Sequence, residues 1–391
     1  MKTKLNLLSF IVMMLLMGTV YTWSVFRVEV EHIYDVSALG SGLPYMTSLF
    51  FYALSMMITG RFLSDTTMKR FVFFGGIMIA FGWLLSGLSS SLWLLIIGYG
   101  VMIGIGVGMV YGVPVYYIHR VYSRRSGLYT GLILAGFGAS PLMTAPMIRI
   151  MILHLGLSAG FLIMGFISLV VMLPLSGMFS LSKHRINSKL SVNPSFDRLL
   201  FVMIYVLFLI TTAIGLMMIG LSYRVGVLNY RYDPNLVALL VAAFAFLNGI
   251  ARPIFGYLMD KVGFMKTATF STTLIILAAL ISIFNQSQNV FIYSFSFGLF
   301  WFNLGAWLAI IPALIKAYFG EENHAKRYGI AFSAYGLGAI IGTLLSGVIL
   351  DILQKTVYLY GLILILSLLM GVMIYLIKKR HLTNTSKAAS V

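Results

Sequence analysis

The chemistry of this chain begins with one cation. Arg252 stands inside an apolar run, Phe246-Leu247-Asn248-Gly249-Ile250-Ala251-Arg252-Pro253-Ile254-Phe255-Gly256. A guanidinium in such surroundings needs an anionic partner or a route to water. The chain holds 10 acidic residues: Glu29, Glu31, Asp35, Asp65, Asp197, Asp233, Asp260, Glu321, Glu322 and Asp351. All of them fall in polar connections or at the ends of apolar runs. No carboxylate is left for Arg252, so the anion that completes it is most simply a ligand. A planar guanidinium suits a carboxylate through paired hydrogen bonds. Asn248 lies one helical turn earlier on the same face and could bond the same ligand. The alternative is an arginine that snorkels to a surface.

Other chemistries are closed. Cysteine is absent, which removes disulfides, thiolate metal sites and thiol catalysis. The 6 histidines are dispersed, with no pair at ligand spacing, so neither metal nor cofactor is expected. The net charge of +17 and pI near 9.9 would suit a nucleic-acid partner in a soluble protein. Here the basic residues lie in short segments between apolar runs and form no groove-binding motif, so no nucleic acid is expected.

Composition says what must position Arg252. Apolar residues make up 60% of the chain, charged residues 9%, and the mean hydropathy is +0.98. A soluble domain is about half apolar and about a quarter charged. The bilayer is therefore the solvent, and a cation at the depth of Arg252 costs about 2.5–3.5 kcal/mol there. A helix that spans it needs about 20 apolar residues. Twelve runs qualify: Leu5–Phe26, Gly42–Phe62, Phe71–Ser90, Leu92–Ile118, Gly127–Ile150, Leu157–Leu181, Leu199–Tyr223, Leu236–Met259, Thr267–Phe284, Val290–Ala317, Tyr328–Leu350 and Val357–Ile377. They are numbered spans 1 to 12. The basic start before span 1 resembles a signal peptide, but its apolar run is long and no small-residue cleavage site follows, so span 1 is expected to be retained.

Charge sets the orientation. With the N-terminus cytoplasmic, 21 of the 27 basic residues fall inside and 5 outside (Arg27, Arg149, Arg224, Arg231 and Lys355), and Arg252 is the one left over. That asymmetry matches the positive-inside rule and predicts cytoplasmic termini in a multi-pass protein of the cell membrane. The longest internal polar stretch divides the chain into an N-terminal six-helix bundle (1–181), an inter-bundle loop (182–198), a C-terminal six-helix bundle (199–378) and a tail (379–391).

The halves repeat. Arg61-Phe62-Leu63-Ser64-Asp65 after span 2 matches Gly256-Tyr257-Leu258-Met259-Asp260-Lys261 after span 8. Pro114 matches Pro312, and Arg125-Ser126-Gly127 matches Arg327-Tyr328-Gly329. The offsets are 195, 198 and 202 (260 − 65, 312 − 114, 329 − 127), about half the chain, and parallel six-span repeats are a recurring transporter plan. In these features the chain resembles the major facilitator superfamily. Its G-x-L-x-D-x-x-G-R/K loop is kept in the second copy at Gly256, Leu258, Asp260 and Gly263. The first copy carries Arg61 and Met68 in the glycine positions. The resemblance implies an all-α membrane fold of twelve transmembrane helices in two pseudo-symmetric bundles, with Asp65, Arg70, Asp260 and Lys261 at the cytoplasmic gate. Glycines at 100, 104, 108 and 112 on span 4, and at 336, 338 and 342 on span 11, are expected to let helices approach closely.

Four segments resemble the oxalate/formate antiporter family within that superfamily. They are Tyr21-Thr22-Trp23-Ser24-Val25-Phe26, Gly108-Met109-Val110-Tyr111-Gly112, the Asn248–Gly256 run, and Pro312 to Gly338. The resemblance implies that Arg252 binds a carboxylate and that Tyr21, Tyr111, Phe137 and Phe332 wall the pocket. In that family the oxalate-exchanging member has a buried lysine where this chain has Tyr335. One buried cation then favours a monocarboxylate such as lactate, formate or pyruvate over a dicarboxylate, with Tyr335 as a hydroxyl donor. The mechanism expected is alternating access by a monomer, as anion exchange or as symport with a proton borne by the substrate. A facilitator for a sugar, a drug or oxalate is the alternative, and a membrane sensor or enzyme would need a domain or constellation that is not visible.

Overall fold

The computed structural model describes residues 2–121, 126–178, 197–285, 288–320 and 324–389. Among these the chain is helical between short connections, with no strand. Nine helical runs are long and apolar enough to cross a membrane. Two of them, Thr130–Met178 with 49 residues and Pro234–Phe284 with 51, would each be roughly 75 Å long, more than twice the roughly 30 Å hydrocarbon core. Each is broken once, at Gly156 (φ 83°, ψ 169°) and at Gly263 (φ 76°, ψ 174°). These are positive-φ turns that a side chain would strain, and they separate spans 5 from 6 and 8 from 9. The remaining span, Ala38–Phe62, has 25 residues and is less apolar because it buries Ser41, Ser48 and Ser55. Nine runs, two breaks and this helix give the twelve spans.

The two loops that resembled each other turn differently. After span 8 the motif glycine Gly263 makes the turn itself. After span 2, where Met68 replaces that glycine, side chains hold the chain instead. Thr67 Oγ1 donates to Phe62 O at 2.8 Å, and Ser64 N donates to Thr67 Oγ1 at 2.9 Å.

The glycine stripe of span 4 faces span 2. A side chain at Gly104 would strike Ser48 and Phe51, and one at Gly108 would strike Tyr52, Ser55 and Met56. Both helices advance four residues per contact, so their backbones run in close contact for two turns. Span 11 uses its small residues on two sides. Gly336 meets Ala53 and Phe50 of span 2, whereas Gly338 and Gly342 meet Thr212, Ala213 and Met217 of span 7. Gly249 of span 8 meets Ala135 and Ala139 of span 5. The first-half helices 2 and 5 thus pack on the second-half helices 11 and 8. Outside, large apolar side chains such as Phe166, Leu239, Leu368 and Tyr375 stand exposed, the surface expected against lipid.

Span 1 departs from its expected end. Helix continues to Tyr34, through a 3₁₀ segment at Gly18–Thr22, because Arg27 is buried rather than wetted. Its Nε donates to Ser41 Oγ at 2.9 Å, and its two terminal nitrogens donate to Gly220 O and Ala38 O. Glu31 lies 3.7 Å from Arg27 and 2.7 Å from Arg224, while Asp351 accepts from Ala38 N and Leu39 N, the first turn of span 2. These contacts tie spans 1 and 2 to spans 7 and 11 at the end of the bundle opposite the chain termini. Of the expected inter-bundle loop, residues 182–196 lie outside the described residues. Asp197 caps span 7 by accepting from Leu199 N and Leu200 N, and pairs with Arg380 at 2.7 Å.

Candidate functional site

Arg252 does not snorkel. It is 2% exposed and is held where span 8 crosses span 5. One terminal nitrogen donates to Leu134 O of span 5, the other lies 3.4 Å from Asn248 Oδ1, and Nε has no partner among the described residues. No carboxylate among the described residues pairs with it. The crossing is close because Gly138 faces the arginine: a side chain there would collide with Asn248 Oδ1 and the guanidinium. Gly305 does the same on the span 10 side, where a side chain would strike Asn248 O and Ala251.

The expected aromatic residues converge on this cation. The Arg252 guanidinium lies 5.9 Å from the Phe137 ring centroid, and the hydroxyls of Tyr21 and Tyr111 are near enough to interact with its charge. Phe137 makes edge contacts with Tyr21 at 5.2 Å and Tyr111 at 5.3 Å. Tyr335 stacks on Phe332 at 4.8 Å, and its hydroxyl bonds the Tyr21 hydroxyl at 2.7 Å. The structure therefore brings all seven residues, Arg252, Asn248, Tyr335, Tyr111, Tyr21, Phe137 and Phe332, into one buried cluster drawn from spans 1, 4, 5, 8 and 11.

Two members of the cluster escaped the sequence reading. Tyr52 of span 2 is the hub of the cluster, touching Tyr111 at 5.2 Å, Phe332 at 5.4 Å, Tyr335 at 5.6 Å and Phe137 at 5.9 Å. Its signal was Gly108, which opens the span 2 face that carries it. Trp301 of span 10 lies 6.4 Å from Tyr21, and its carbonyl accepts from Asn248 Nδ2 at 2.7 Å. Arg27, which the charge count set outside, is a second buried cation, but its donors are engaged by the contacts described above.

The four residues expected at the gate do not form one cluster with these. Asp65 accepts from the Tyr116 hydroxyl at 2.7 Å. Arg70 and Asp260 are exposed, and Lys261 lies 5.4 Å from the Tyr257 ring. Among the described residues no group of histidine and acidic side chains is arranged to hold a metal.

The family model of the Major Facilitator Superfamily matches residues 8–230 and 199–390. The chain belongs to the major facilitator superfamily. It is a multi-pass membrane transporter and not an enzyme. The oxalate:formate antiporter of Oxalobacter formigenes is 25% identical over 346 residues, 86% of this chain and 82% of the relative. The MFS-type transporter YhjX of Escherichia coli is 24% identical over 344 residues, 86% of this chain and 85% of the relative. Monocarboxylate transporter 9 of Rattus norvegicus is 28% identical over 137 residues, 35% of this chain and 25% of the relative. The fold is that of a bacterial homolog of the human lysosomal transporter Spinster in an inward-facing, unoccupied conformation, with a TM-score of 0.66 at 12% identity and 98% of both chains covered.

Proposed function

We propose that this facilitator carries a small monocarboxylate by alternating access, with Arg252 as the carboxylate site. The observation that supports this most is the buried guanidinium, without a carboxylate partner among the described residues, walled by aromatic rings and near tyrosine hydroxyls. A carboxylate there would take the unpartnered Nε together with a terminal nitrogen, the paired arrangement that suits a planar fork. The names of the oxalate:formate antiporter and of monocarboxylate transporter 9 agree with a small organic anion as cargo. The anion moves by exchange for another anion or in symport with a proton borne by the substrate. Proteoliposomes should accumulate labelled lactate, formate or pyruvate, each competed by the others. Uptake of a hexose or a lipophilic cation, with no carboxylate uptake, would sink the reading.

The two bundles, divided at 182–198, rock about this site. The contacts of Arg27, Glu31, Arg224 and Asp351 hold the side opposite the termini closed and must part for that side to open. A charge-assisted hydrogen bond contributes about 1.5–3 kcal/mol, and roughly 1.4 kcal/mol is a factor of ten. Glu31→Gln should therefore raise the rate at which an impermeant thiol reagent, added from that side, labels Tyr45→Cys by about tenfold. Tyr45 is buried beneath the cluster against Gly220. An unchanged labelling rate would show that these ion pairs do not hold the closure.

Orientation follows from the distribution of basic residues. The termini are cytoplasmic, the membrane is the cell membrane, and the four loop residues Asp65, Arg70, Asp260 and Lys261 act at the cytoplasmic gate. Ser188→Cys, introduced into this cysteine-free chain, should stay unlabelled by impermeant reagent outside intact cells and become labelled after permeabilisation. Labelling of intact cells would invert the topology.

A further inference from the structure

We infer that the indole N–H of Trp301 is a second recognition donor, and that it selects monocarboxylates bearing an oxygen on the carbon next to the carboxylate. The inference rests on the carboxylate reading of Arg252. Trp301 is fully buried and its Nε1 has no hydrogen-bond partner among the described residues. Buried indole N–H groups normally find one, so this donor is left for a ligand to meet.

Its position ties it to the anion site twice. Asn248 bridges the two residues, giving its Nδ2 to Trp301 O at 2.7 Å while its Oδ1 lies 3.4 Å from the Arg252 guanidinium. Tyr21 bridges them as well, with its ring against Trp301 and its hydroxyl near Arg252. Phe244, one turn from Asn248 on span 8, packs on the other side of the indole at 6.3 Å. Of the neighbouring hydroxyls, Tyr21 and Tyr335 bond each other, which occupies one of their two O–H donors. Among the described residues, Arg252 Nε and Trp301 Nε1 are thus two orphan donors, one cationic and one neutral, on residues that share Asn248 and Tyr21 as neighbours.

An indole N–H donates and cannot accept. The complementary group is a neutral acceptor close to the carboxylate, as in a 2-oxo or 2-hydroxy acid. Propionate presents a methylene there. A site built to bond an oxygen rejects the analogue that lacks it, because the buried donor is then left unpaired.

The test is competition by lactate, pyruvate and propionate against labelled lactate in proteoliposomes. In the parent, propionate should compete roughly tenfold or more weakly than lactate or pyruvate. Trp301→Phe keeps a ring and removes the donor, so the lactate-to-propionate ratio should fall close to one whatever loss the two share. Equal competition by propionate in the parent overturns the inference without any variant, as does a ratio that survives in Trp301→Phe. Uptake of none of the three acids overturns the carboxylate reading itself, which separates the two failures.

Discussion

Oxalate should compete for monocarboxylate uptake at least about a hundredfold more weakly than lactate, and Tyr335→Lys should shift the preference toward it. The expectation follows from counting buried cations that are free to bind. Arg252 has a nitrogen without a partner among the described residues, whereas Arg27 gives its donors to Ser41, Gly220 and Ala38 and lies beside Glu31. Arg224 is paired with Glu31, and Arg149 with Glu29 at 3.7 Å. A dicarboxylate would bring a second charge into the cluster with only a tyrosine hydroxyl to meet it. Breaking or omitting a partner for a buried charge costs about 3–5 kcal/mol, and about 1.4 kcal/mol is a factor of ten. Tyr335 is fully buried and bonded to Tyr21, so a lysine there would place its ammonium beside the site, while the aromatic walls still set the pocket length. Oxalate that competes as well as lactate in the parent would mean that one of the paired arginines leaves its partner to reach the substrate.

Arg252→Gln should abolish transport while the protein still folds and inserts. Glutamine keeps a donor for Leu134 O but removes the charge, and the same arithmetic gives a loss of roughly a hundredfold or more in affinity. Arg252→Lys separates charge from shape. Lysine restores the positive charge but not the planar fork, so part of the affinity should return. Gln and Lys variants that both transport normally would leave the arginine with a packing role between spans 5 and 8. Equal loss in both would mean that fork geometry, rather than charge, dominates.

Much of this was legible because lipid enforces a simple code. Apolar runs gave the spans, and basic residues between them gave an orientation to test. The single uncompensated arginine pointed to the candidate site, since a buried charge that no side chain neutralises calls for an anion from outside the chain. Tyr52 was not legible: a tyrosine in an apolar span reads equally well as packing, and only the close approach of span 4 shows which face it occupies. Trp301 was hidden for the same reason. The burial of Arg27 was not legible because a cation at a span end normally reaches water. Here Glu31, Ser41 and the carbonyls of Ala38 and Gly220 meet it instead, and only the fold brings these separate segments together. The extended first helix follows from that burial. Conversely, Met68 warned that the first loop lacked its glycine, and the structure answers with the Ser64–Thr67 turn.

Equilibrium binding of labelled lactate to the purified protein, in the parent and in Arg252→Gln matched for thermal stability, tests the carboxylate site most directly. The parent should show saturable binding displaced by unlabelled pyruvate, and the glutamine variant should show none over the same concentration range. Binding of undiminished affinity in Arg252→Gln would contradict the assignment of Arg252 as the residue that holds the anion.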